Sequence, residues 1–99
     1  MREVIISDSV DYEISEIESY FKSTLKFSKE AARKRSKKMR DFAKSLGGIV
    51  NYPLCRYKRW CNLGYHCAIF ENWVFAYEIL EDGIEVKDLK HAATLISTE

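Results

Sequence analysis

Between residues 56 and 59 the chain reads Arg-Tyr-Lys-Arg, and its two histidines stand downstream at His66 and His91. Such side chains suit chemistry on a phosphodiester. Cutting RNA through its own 2′-hydroxyl needs a base for that hydroxyl, cations for the charge that builds around phosphorus, and an acid for the leaving oxygen. Arg56, Lys58 and Arg59 are the candidate cations, and His66 or His91 the candidate titrating group. Tyr57 can stack on a base. On a strand, Arg56 and Lys58 share a face and Arg59 takes the other, unless a bulge intervenes. The plain structural alternative is a solvated edge strand whose charges prevent sheet-to-sheet pairing. His66, in an apolar run beside Cys67, reads as a structural histidine, whereas His91 fits either role.

These residues sit in a polarised chain. Residues 22–59 hold thirteen of the sixteen Lys and Arg against two acids, Glu30 and Asp41, a local charge of +11. The flanking stretches 1–21 and 60–99 each carry −5, so the overall +1 conceals a strong field. A field of that sign attracts a polyanion, nucleic acid or an acidic protein segment. Its densest part, Lys29, Arg33, Lys34, Arg35, Lys37, Lys38, Arg40 and Lys44, exceeds what solubility requires, because like charges four apart on a helix repel.

The 99 residues suffice for one domain, residues 1–99, with a modest core. No apolar run reaches the roughly 20 residues of a membrane span, and the N-terminus lacks a secretory apolar stretch. Cytoplasm is the expected compartment. Cys55, Cys61 and Cys67 are odd in number and evenly spaced by six residues, which suggests free thiols and no disulfide framework. The absence of C-x-x-C and H-x-x-x-H pairs argues against metal, and no cofactor is expected.

The elements that position these groups follow from periodicity. Val4-Ile5-Ile6 is a short strand, and Ser7-Asp8-Ser9 starts a helix whose apolar stripe is Val10, Ile14, Ile17, Phe21 and Leu25. Ser28 caps a second helix running to about Leu46, with Ala32, Ser36, Met39, Phe42, Ala43 and Leu46 inward and a stop at Gly47-Gly48. So short a link makes an antiparallel helical hairpin. Strands follow over residues 54–60, 65–70, 73–80 and 84–87, with reversals at Glu71-Asn72 and Asp82-Gly83, the latter a turn that tolerates positive φ. Trp73, Phe75, Tyr77 and Ile79 would share the face under the helices. The expected fold is α+β: an N-terminal strand and the helical hairpin packed on a three- to four-stranded antiparallel sheet.

Three stretches in this order carry a family likeness: DYEISEIESYF at 11–21, FSKEAA at 27–32, and FAYEI, DGIEV and DLKH between 75 and 91. The whole resembles the RelE/ParE superfamily of small toxins from bacterial type II toxin–antitoxin and plasmid stabilisation systems. The resemblance implies a toxin silenced by an antitoxin protein that wraps sheet and helices with an extended, often acidic segment. RelE-like members cut messenger RNA on the ribosome with Arg, Lys and Tyr or His side chains, without metal; ParE-like members poison DNA gyrase and cut nothing. On the first pattern Arg56, Lys58 and Arg59 would hold phosphate, and Lys87, Lys90 or His91 would manage protons or charge. Arg33, Lys34, Lys37, Lys38, Arg40, Lys44 and Tyr57 would bind nucleic acid or the antitoxin. One departure concerns the strand Arg of the Tyr-Arg-x-x-Tyr pattern, replaced here by Val74 when aligned on Tyr77. That loss and the FSKEAA entry lean toward the ParE side. The expected activity is a ribosome-dependent messenger RNA endoribonuclease, with a gyrase inhibitor or an inactive antitoxin-binding relative as alternatives.

Overall fold

The computed structural model describes residues 2–48 and 51–95. Strand β1 (Glu3–Ile6) leads into helix α1 (Asp8–Ser23), where the Ser7 hydroxyl accepts the Val10 N–H at 3.4 Å and Asp8 and Asp11 meet the positive end of the helix dipole. Val10, Ile14, Ile17 and Phe21 are all buried. Leu25 does not extend that stripe and stays 44% exposed, because the helix has ended and Lys26 turns the chain with φ 58°. Helix α2 (Lys29–Ser45) is capped by Ser28, whose hydroxyl accepts from Ala31 N–H at 3.1 Å.

The two helices pack antiparallel. Arg40 Nε donates to Asp11 at 3.1 Å near one end, the buried Ser36 hydroxyl donates to Glu18 midway, and Arg35 lies over the rings of Phe21 and Phe27 at the other. Phe42 then stacks on Phe70 and packs against Phe75, fixing α2 to the sheet.

The sheet runs β1-β4-β3-β2, with β2 (His66–Phe70), β3 (Trp73–Ile79) and β4 (Gly83–His91) forming an antiparallel meander. It is not wholly antiparallel: β1 pairs parallel with β4. That pairing explains Gly83. Neither Asp82 nor Gly83 adopts positive φ, but a Cβ at Gly83 would collide with the Glu3 carbonyl oxygen. Glu71, in contrast, takes φ 55° at the β2–β3 reversal. Strand β4 outruns the expected end at Lys87 and reaches His91, with a register shift opposite Ala76/Tyr77 that leaves Lys87 as the extra residue.

Both faces of β3 are covered. Phe75 and Tyr77 point to the helical hairpin, partly buried Trp73 packs against the same core, and Ile79 is exposed at the end of the strand. Val74 and Ala76 lie beneath a second, smaller cluster built by Cys55 and Trp60. The segment 54–60, expected to be a strand, forms that cover differently. Leu54 makes a single bridge to His66, and the chain then winds into a short helix, α3 (Lys58–Asn62), with Cys61 N–H donating to Tyr57 O at 2.8 Å. The helical turn brings the Trp60 indole onto Val74 and Ala76, leaving it 4% exposed, a burial contributing roughly 2–3 kcal/mol.

The cysteines also differ from expectation. Cys55 and Cys67 form a disulfide with Cα atoms 4.8 Å apart, and Cys61 alone is a free, exposed thiol. The cause is local pairing: Cys55 N–H donates to Tyr65 O and Cys67 N–H to Pro53 O, laying the two cysteines side by side. Among the described residues no helix is long and apolar enough to cross a membrane, and no three His, Cys, Asp or Glu side chains gather to hold a metal.

Candidate functional site

Helix α3 and the end of β4 enclose a cleft of about 240 Å³ on the sheet face opposite the helical hairpin. Its walls are Tyr57, Arg59 and Trp60 from the α3 side and Asp88 and Lys90 from β4. Asp88 and Lys90 pair with Ala76 and Val74, so alternation along the strand turns both toward α3. Asp88 Oδ1 accepts the Leu89 N–H at 2.8 Å, and the carboxylate has no other partner among the described residues. Tyr57 meets Trp60 edge-on with ring centroids 5.8 Å apart, which braces Tyr57, the half-buried ring of the pair. Two cations, a carboxylate and an aromatic ring thus converge, a set able to hold a phosphate, accept a proton and support a base.

The expected cluster of Arg56, Lys58, Arg59, Lys87, Lys90 and His91 is only partly assembled. Arg59 and Lys90 come together. Arg56 and Lys58 are exposed and do not share a strand face, since no strand exists there. Lys87, the bulge residue, is neutralised by Glu85 at 3.3 Å and Glu78 at 3.8 Å. The Glu85 carboxylate, by hydrogen bond and charge, raises the Lys87 pKa above its usual value, so the ammonium keeps its proton at neutral pH. His91 sits on the helical side of the sheet edge: its ring stands edge-on to Trp73 at 4.8 Å, and Nδ1 accepts the Ala93 N–H at 3.0 Å, capping the 3₁₀ turn Ala92–Thr94.

His66 is engaged within the fold. Its Nδ1 lies 2.6 Å from Tyr52 O and the ring stacks on Tyr77. Burial pushes the Tyr77 phenol up, against the lowering effect of the Tyr52 N–H that it accepts at 2.9 Å. Tyr77 therefore serves as a neutral acceptor inside the fold. Asp88 was not a candidate from sequence, because the strand was ended at Lys87. The signal lay in its i, i+2 spacing from Lys90 on a longer strand.

Most of the basic face of α2 lies away from this cleft. Helix α2 covers the opposite side of the sheet, and the two approach each other at the β4 end, where Lys90 and Thr94 of the cleft also line a depression bordered by Arg35 of α2. On that face Arg40 is bound to Asp11, Lys37 to Asp41 at 2.9 Å, and Arg35 reaches Glu71 at 4.0 Å. Lys29, Arg33, Lys34, Lys38 and Lys44 have no ion pair among the described residues. Lys34, Arg35 and Lys38 also border a notch of about 220 Å³ beside Glu71.

A larger depression, about 780 Å³, runs between α1 and the β3–β4 end. Its floor is apolar, with Ile17, Phe21, Trp73 and Leu89, and both signs of charge stand around it, Glu13, Glu16 and Glu71 against Arg35 and Lys90, with His91 beside them. Glu13 and Glu16 disfavour a phosphate at its α1 end, while Lys90 borders both this depression and the cleft beside α3. Comparison with family models, characterised proteins and solved structures gives no match to this chain.

Proposed function

We propose that this protein is a growth-inhibiting toxin of the RelE/ParE kind, the toxin half of a type II toxin–antitoxin pair, acting on messenger RNA at the ribosome as an endoribonuclease. The observation supporting it is the convergence of Arg59 and Lys90 with Asp88 and Tyr57 in one cleft. A phosphodiester lies there against the two cations, with the neighbouring base on Tyr57. Asp88 takes the 2′-hydroxyl proton, the freed oxygen attacks phosphorus, and the 5′-oxygen leaves with a proton from Lys90, giving a 2′,3′-cyclic phosphate. Arg59 stabilises the charge of the phosphorane. An antitoxin with an acidic segment fits the unpaired cations of α2.

A non-catalytic, gyrase-directed inhibitor of the ParE kind is the second reading. It is favoured by the structural engagement of Lys87 and His91, which leaves the cleft few groups for proton transfer.

Tightly induced expression in a bacterial host, with pulse labels for protein and DNA synthesis, separates the two. The nuclease stops protein labelling first and leaves cuts in translated messages, and a folded Arg59→Ala/Lys90→Ala variant restores growth. Arrest of DNA labelling first selects the gyrase inhibitor. No arrest from folded protein rules out an active toxin.

A further inference from the structure

We infer that the Cys55–Cys67 disulfide is a redox latch on the cleft: oxidised, it holds α3 against the sheet, and reduction releases α3 and separates Arg59 from Lys90. This regulation rests on the cleft being the RNA site proposed above.

The latch follows from how little else secures the segment. Residues 51–64 contribute two buried side chains, Cys55 and Trp60, and one of these is itself half of the disulfide. Ahead of α3 the attachments include four hydrogen bonds: Tyr52 N–H to Tyr77 hydroxyl, Tyr52 O to His66, Cys55 N–H to Tyr65 O and Cys67 N–H to Pro53 O. The helix itself, five residues long, is held by Trp60, by half-buried Tyr57 on the same cluster, by Tyr65 N–H donating to Trp60 O, and by the crosslink beside it. Closing a loop of about a dozen residues restrains the open state by roughly a hundredfold. The same helix carries Arg59, whereas Lys90 belongs to β4, so the crosslink decides whether the two cations meet.

The chemistry is thiol–disulfide exchange with a dithiol reductant. Its thiolate attacks the half-exposed Cys67 sulfur and forms a mixed disulfide, expelling the buried Cys55 thiolate, which takes up a proton. The second thiolate of the reductant then closes its own disulfide and frees Cys67, which is protonated in turn. Two electrons pass from the dithiol to the protein.

The test uses the full chain, air-oxidised or reduced with dithiothreitol. Alkylation should count one thiol before reduction and three after, since Cys61 alone is free in the oxidised form. Limited trypsin digestion should cut at Arg56, Lys58 or Arg59 at least about tenfold faster after reduction. Binding of fluorescein-labelled oligouridylate should weaken by about tenfold, the factor expected when one molecule in ten keeps a competent cleft. A Cys55→Ser/Cys67→Ser variant should match the reduced protein and ignore dithiothreitol; chemical reduction of the unaltered chain decides the matter if that variant does not fold. Equal trypsin rates in the two states, or three reactive thiols in the oxidised protein, overturn the latch. Faster digestion without RNA binding in either state upholds the latch and overturns the RNA assignment of the cleft.

Discussion

Arg59 and Lys90 border the cleft from separate elements, one on a helix and one on a strand, so a phosphate held there would meet both. A hydrogen bond to a charged group contributes about 1.5–3 kcal/mol, so Lys90→Ala should weaken oligoribonucleotide binding by roughly ten- to a hundredfold. Asp88→Asn, similar in shape, should keep binding and lose cleavage. Parallel binding and cleavage assays check that division; a Lys90→Ala protein that binds normally removes Lys90 as a phosphate ligand. His91 is predicted to behave otherwise. Its ring caps the 3₁₀ turn and packs on Trp73, so His91→Ala should lower stability by about 0.5–2 kcal/mol, as other cap losses do, with cleavage unchanged. A urea melt and a cleavage assay on the same preparation decide, and lost cleavage at native stability would return His91 to the reacting groups. The sequence already named Arg59, Lys90 and Tyr57, but nothing local showed that residues 59 and 90 would meet. Nor did composition separate free cations from neutralised ones: Lys87 looks like Lys90 until Glu78 and Glu85 are placed around it.

At the scale of elements, legibility followed length and locality. The two long helices were readable because four or more apolar residues repeat along each and a serine precedes both. Helix α3 was not, since five residues are too few to display a helical period, and the loose alternation around Arg56 imitated a strand. Strand β4 was cut short for a related reason. Its bulge at Lys87 places Val86 and Leu89, both on the helical side, three residues apart instead of two or four, and so breaks the alternation. The parallel pairing of β1 left no local trace, because its partner lies at the other end of the chain. Gly83 is its one mark, and it yields a prediction. Gly83→Ala pushes a methyl into the Glu3 carbonyl and should cost about 1–3 kcal/mol by displacing β1, whereas Gly48→Ala, whose new methyl meets Ser45 O at an ordinary 3.5 Å among the described residues, should stay within about 0.5 kcal/mol of the unaltered protein. Urea denaturation of both variants measures the contrast, and equal midpoints would show that β1 adapts without strain.

For the molecule as a whole, the basic central third of the chain does not become one basic surface. The fold divides it: α2 takes its lysines and arginines to one side of the sheet, and α3 takes Arg59 to the other. Lys34 and Lys38 line none of the cleft that Arg59 borders, so the two groups should act on RNA independently. Charge reversal on α2, Lys34→Glu with Lys38→Glu, removes contacts of the long-range, salt-screened kind, so it should flatten the salt dependence of binding to long RNA and leave cleavage of a bound short oligonucleotide unchanged. Arg59→Ala should do the reverse, reducing cleavage with a smaller change in salt slope. In the combined variant the binding losses should add as free energies to within about 0.5 kcal/mol, the limit for sites that share no partners. A coupling well beyond that limit would mean that one RNA strand spans both faces, and that the basic helix belongs to the substrate path. Additivity would leave α2 free to bind a different polyanion, such as an acidic protein segment, while the cleft on the far side is occupied.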